Sequence, residues 1–179
     1  MRTPGIFLAS CLCLLLSLWG CSKSAPKPAE PSGSPQQPVE GKRIASVDVV
    51  QATPQPFAVS AGSSGEATVR LTIQSGYHVN ANPPTYPYLK ATELEIAPDD
   101  GISVGQVKYP AALNKKFLFA EKPLAVYEGE TELKAAIVAD KSAKPGERSL
   151  SAKLRIQACD EQVCYPPGTL NLSIPVSIK

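Results

Sequence analysis

The chain has 179 residues, 43% of them hydrophobic, a net charge of +2, one histidine and a single methionine, Met1. That length suits one domain with extensions. The near-neutral balance gives no ground for a nucleic-acid partner, and the shortage of His and Met argues against a zinc or copper site.

Residues 1–20 read as a signal peptide, with Arg2 as the positive start and residues 6–19 as an apolar run of about 14 residues, too short for a comfortable membrane span. The run closes on Leu18-Trp19-Gly20-Cys21, which resembles a bacterial lipobox. The resemblance implies cleavage before Cys21 and lipidation of Cys21, with Cys11 and Cys13 lost in the leader. An ordinary signal peptide is the alternative. Residues 21–43 are rich in Pro, Ser, Gln and Lys. They cannot build a core and are expected to form a semi-extended tether, reaching some tens of Å at about 3.1 Å per residue.

From residue 44 the pattern becomes β. Residues 66–74 alternate strictly, with Ala67, Val69, Leu71 and Ile73 on one face. Residues 149–158 put Leu150, Ala152, Leu154, Ile156 and Ala158 inward and Lys153, Arg155 and Gln157 outward; residues 170–178 repeat the period through Leu170, Leu172, Ile174, Val176 and Ile178. Weaker strands are expected at residues 47–50, 91–96, 102–107 and 131–139. Turn signals separate them at Ser75-Gly76, Asp99-Asp100-Gly101, Glu128-Gly129 and Lys144-Pro145-Gly146. No segment keeps a helical period, so the expectation for residues 44–179 is an all-β, immunoglobulin-like antiparallel β-sandwich. Residues 76–88, rich in Tyr, Pro and Asn, read as a surface loop, in which a lone His78 is expected to be solvated or hydrogen-bonded. Residues 115–120 read as a loop whose Phe117 and Phe119 either anchor it or cover a reactive site as an apolar lid.

The chemistry-bearing stretch is Ala158-Cys159-Asp160-Glu161-Gln162-Val163-Cys164-Tyr165-Pro166-Pro167. It lies between the last two strong strands, at the rim of the sandwich, and its two cysteines are close enough to meet across a tight turn. Thiol–disulfide exchange needs one thiolate to attack and a second thiol to resolve the mixed disulfide, and a close pair supplies both. The alternative is a structural bridge, but so short a loop contributes only about 2 kcal/mol through the unfolded chain. Asp160 and Glu161 are acidic and no Lys or Arg lies between the cysteines, which disfavours the thiolate and points to a slow, partner-dependent carrier. A hydrolase is disfavoured, because no Ser/His/Asp grouping, carboxylate pair or phosphate loop appears.

The Cys159 to Pro167 segment resembles the N-terminal periplasmic domains of the thiol:disulfide interchange protein DsbD, a likeness covering residues 44–179. Gly76-Tyr77-His78 and residues 117–123 sit where that family has its tyrosine-bearing strand and its cap loop. The resemblance implies an immunoglobulin-like sandwich that exchanges electrons with thioredoxin-like proteins in the bacterial periplasm, without cofactor or metal. It implies that Cys164 forms the mixed disulfide and Cys159 resolves it. Phe117 or Phe119 would belong to the cap, and Tyr77, His78 and Tyr165 would neighbour the site. The chain departs from the family in a cysteine spacing one residue shorter and in His78 and Asn80 where tyrosines are familiar. It also carries neither the polytopic membrane domain nor the thioredoxin-like domain. The expectation is therefore a detached carrier, monomeric and anchored to an envelope membrane through Cys21. A non-redox protein-binding lipoprotein whose disulfide only pins the turn is the alternative.

Overall fold

The computed structural model describes residues 44–179; the expected signal peptide, the expected lipidation at Cys21 and the expected tether lie outside the described residues. Twelve strands run through the described residues: β1 Val50–Pro54, β2 Phe57–Val59, β3 Ser64–Ile73, β4 His78–Asn80, β5 Glu93–Ile96, β6 Ile102–Lys108, β7 Leu113–Lys115, β8 Leu124–Tyr127, β9 Glu130–Ala139, β10 Gly146–Ile156, β11 Ala158–Cys159 and β12 Gly168–Ile178. They form three four-stranded sheets, ordered β1-β3-β9-β6, β2-β12-β10-β5 and β11-β4-β8-β7.

The first two sheets are the immunoglobulin-like sandwich. Its long strands are those whose side chains alternate by burial, as a half-buried strand must. In β3, Ala67, Val69, Leu71 and Ile73 are buried, and in β10 so are Leu150, Ala152, Leu154 and Ile156. These pack with Leu133, Ala135 and Ile137 of β9 and Ile174, Val176 and Ile178 of β12 in one apolar core. Each such Leu, Ile or Val contributes about 1.5–3 kcal/mol on burial. Leu170 and Leu172 are half-buried at its margin.

The structure changes four expectations. Residues 47–50 are not a strand: Ser46–Val49 is a short 3-10 helix, and β1 begins at Val50. The Asp48 carboxylate accepts the Ala45 N–H at 3.1 Å, and the Asp48 N–H donates to the Ala45 carbonyl at 2.9 Å, a local competition that curls the backbone before pairing starts. The sandwich is not wholly antiparallel, since β2 pairs parallel to β12. The strand expected over residues 149–158 breaks at Gln157, so that β10 stays in the sandwich while β11 joins the third sheet. Finally, the expected loop over residues 76–88 contains β4, three consecutive buried residues held between β11 and β8.

The third sheet is built on the sandwich, and its two faces differ. Val79, Tyr127 and Ala158 look into the main core. Their alternates Leu124 and Val126 join Leu89 and Phe117 in a second apolar cluster, against which Tyr86, Ala120 and Cys164 pack. His78 and Cys159 alternate with Val79 and Ala158, so both belong to the second face.

Candidate functional site: a disulfide hairpin on the third sheet

Cys159 and Cys164 are bonded, with an S–S distance of 2.00 Å and Cα atoms 3.9 Å apart. Local hydrogen bonding explains the closeness. The Asp160 N–H donates to the Val163 carbonyl at 2.9 Å and the Tyr165 N–H to the Ala158 carbonyl at 2.8 Å. Between these bonds the cysteines face each other as an isolated antiparallel bridge, the non-hydrogen-bonded kind of pair whose side chains come closest.

Asp160 shapes the turn. One carboxylate oxygen accepts the N–H groups of Gln162 at 2.7 Å and Val163 at 2.9 Å, and the other accepts the Tyr165 hydroxyl. That hydroxyl, with the two N–H groups, holds the Asp160 carboxyl below its ordinary range. Reciprocally, the Asp160 bond is the main reason the Tyr165 phenol is pushed up to about 12, so Tyr165 remains a donor at any ordinary pH. Tyr77 lies beside it, with ring centroids 6.1 Å apart.

The hairpin is tied down from both sides. Ser46, fully buried, donates its hydroxyl to the Pro166 carbonyl at 2.6 Å and accepts the Ala158 N–H at 2.9 Å. The Gln157 side-chain carbonyl accepts the Lys90 N–H at 2.8 Å and the Asn80 amide at 3.1 Å, while its own amide donates to the Tyr165 carbonyl at 3.1 Å. Gln157, expected to face solvent, is thus the joint where the chain passes between sheets. The approach of β4 is set by a turn in which the Tyr77 N–H donates to the Gln74 carbonyl at 3.0 Å and Gly76 takes φ +85°, a conformation costly to other residues.

The two sulfurs differ in access. Cys159 is fully buried, whereas Cys164 is half-buried. Cys164 lies in a groove of about 230 Å³ lined by Tyr88, Leu89, Phe119, Ala120, Leu124, Gln162 and Val163. Tyr88, Phe119 and Val163 are exposed along it, as is Leu118 at the tip of the neighbouring turn. Both phenylalanines are near the disulfide in different capacities: Phe117 is buried in the cluster against which Cys164 packs, and Phe119, 43% exposed, stacks on it at 5.3 Å and walls the groove.

His78 sits opposite Cys159 in the β4–β11 register and stacks on Phe117 with ring centroids 4.3 Å apart. Contrary to the expectation for a loop histidine it is not solvated: it is fully buried, and neither ring nitrogen makes a well-formed hydrogen bond, the Asp160 main chain offering the ring only a weak, favourable interaction. Burial first, and the Lys115 ammonium second, hold the imidazole below its ordinary 6.5.

Lys115 escaped the sequence reading because it lies far from the cysteines in the chain. Its ammonium pairs with Glu161 at 3.1 Å and Glu128 at 3.2 Å and lies 5.8 Å from the centre of the Phe117 ring. Those two carboxylates raise its pKa, Glu161 the more. The acidic character of Asp160 and Glu161 is therefore largely engaged, by the turn and by Lys115. Ser46 escaped too, for a buried serine carries no period or spacing.

The model of the family described as "Thiol:disulfide interchange protein DsbD, N-terminal" matches residues 46–174. No curated protein sequence matches the chain. Among solved structures, the chain is similar to the N-terminal periplasmic domain of ScsB from Proteus mirabilis, with 15% identity and a TM-score of 0.47, covering 70% of this chain and 44% of that one. It is also similar to the periplasmic chaperone SfaE, with 12% identity and a TM-score of 0.28, covering 73% of this chain and 56% of that one. The chain thus spans less than half the length of the ScsB chain it matches.

Proposed function

From the premise that the chain belongs to the family of DsbD N-terminal domains, we propose that it is a thiol:disulfide carrier of the bacterial cell envelope. It passes electrons between thioredoxin-fold proteins and is tethered to a membrane through a lipidated Cys21. The observation that carries this reading is the inequality of the bonded residues, with Cys159 buried and Cys164 half-buried at a largely apolar groove.

A donor thiolate attacks the Cys164 sulfur, and the electron pair of the S–S bond leaves on Cys159. The donor's second thiolate then attacks its own sulfur in the mixed disulfide and releases Cys164. The donor departs as a disulfide, and the domain holds two thiols after taking up two protons. Toward an oxidised acceptor the order reverses: Cys164 attacks, and Cys159 resolves. The stacked pair of Phe117 and Phe119 shields the sulfurs until a partner's apolar surface takes the place of Phe119.

Trapping tests the assignment. Cys159→Ala, incubated with a thioredoxin-fold protein, is expected to accumulate a mixed disulfide through Cys164. Accumulation only in Cys164→Ala would reverse the roles. Accumulation in neither variant would leave a binding module with a structural bridge.

A further inference from the structure

A buried polar side chain without a partner is costly and rare, at about 1–3 kcal/mol per lost hydrogen bond, and calls for an explanation. Within the oxidised domain neither ring nitrogen of His78 has a well-formed hydrogen bond, and the Asp160 main chain supplies only a weak substitute. Phe117 stacks on its ring at 4.3 Å, and its register partner across the strand pair is Cys159. Opposed residues carry their side chains on the same face of a sheet, with Cβ atoms about 4.5–5.5 Å apart. A disulfide sulfur is a poor acceptor, whereas a thiolate is a strong one.

We propose that His78 is the acid–base partner of the Cys159 sulfur, idle while the disulfide is closed and engaged once it opens. The proposal rests on the carrier reading and adds to it where the leaving sulfur's charge goes. When a donor thiolate attacks Cys164, the S–S electron pair becomes a thiolate on Cys159, which is fully buried. The imidazole N–H of His78 donates to that thiolate. Of the two protons the reduced domain takes up, one sits on Cys164 and the other is shared between Cys159 and His78.

The charged groups facing the ring fit this division of labour. Lys115, reaching over from β7, opposes charge on His78; Glu161 of the hairpin, the Asp160 main chain and Glu128 beyond β8 favour it. Since Lys115 is itself paired to both glutamates, these groups largely offset one another. What changes between redox states is the Cys159 sulfur.

His78 is the only histidine in the chain, so its ring signals in a nuclear magnetic resonance titration assign themselves. The full chain is titrated first with the disulfide intact, then after reduction with a phosphine, which needs no protein partner. The ring is expected to titrate below 6.5 when oxidised and to move up by about one unit or more when the Cys159 thiolate appears beside it. In parallel, reduction by dithiothreitol is followed against pH. His78→Phe, which keeps the stacking, is expected to lose about tenfold in rate because the leaving thiol becomes less acidic, and His78→Gln, which keeps an N–H donor, to recover part of it. An unchanged ring pKa between redox states overturns the proposal, as does an unchanged rate profile in His78→Phe. If wild type exchanges with a thioredoxin-fold donor while the ring pKa stays put, only the role of His78 falls. If wild type does not exchange, the carrier reading falls, and the phosphine titration still decides His78.

Discussion

His78 links the site to the acid stability of the oxidised domain. Its folded pKa lies below the 6.5 of an exposed histidine because burial, then Lys115, disfavours the charged ring. Above about pH 6.5 the ring is neutral in both folded and unfolded chains and contributes no pH dependence. As pH falls from there toward the depressed value, the unfolded chain binds a proton that the folded one refuses, and stability declines. Below the depressed value both are charged and the decline stops. Asp160 acts lower on the scale and with the other depressed-pKa logic: the stability from its bond to Tyr165 is present above the ordinary Asp pKa of about 3.9 and is lost as pH falls through the depressed value. Urea midpoints at pH 7.5 and 5.5 are expected to differ more for wild type than for His78→Phe. Equal differences would mean the ring is not held neutral by the fold.

At the level of elements, the site depends on joints. Ser46 in the 3-10 helix bonds both Ala158, ahead of Cys159, and Pro166, just past Cys164. Packing there is tight enough that a Cβ on Gly168, where β12 begins, would come within 2.6 Å of Val47. Ser46→Ala leaves a buried N–H and a carbonyl unpaired, and is expected to lower the unfolding free energy by about 1–3 kcal/mol and to speed reduction of the disulfide. A loss below about 0.5 kcal/mol in urea titrations, the range of an inconsequential surface change, would show that the hairpin does not rely on this anchor. The same scale explains what could be read from the chain. β3, β9, β10 and β12 span ten or eleven residues each, long enough for alternation to show, and they give the sandwich. β4, β7, β8 and β11 have two to four residues, too few to display a period, and they make the sheet that carries the sulfurs. The cysteines were legible by spacing and by the Tyr-Pro-Pro that follows. The contributions of Lys115, Ser46 and Gln157 were not, because each is a tertiary contact between segments distant in the chain.

Taken whole, the domain keeps its disulfide apart from the core that holds its shape. The main core gathers side chains from the two sandwich sheets, with Val79, Tyr127 and Ala158 of the third, and includes neither cysteine. The disulfide closes so short a loop that opening it forgoes about 2 kcal/mol of chain-entropy stabilisation, a modest loss for a body with so large a core. Reduction is therefore expected to leave the fold intact, as a carrier that cycles between two redox states requires. The direct measurement is the redox equilibrium of the Cys159–Cys164 pair against a thioredoxin-fold protein, with both thiols scored by alkylation and the fold followed by circular dichroism. The account predicts a folded domain that is reversibly reduced with a midpoint in the range of about −120 to −270 mV spanned by thioredoxin-fold carriers. A pair that stays oxidised below about −300 mV, where structural disulfides lie, or a domain that unfolds when it is reduced, would contradict it.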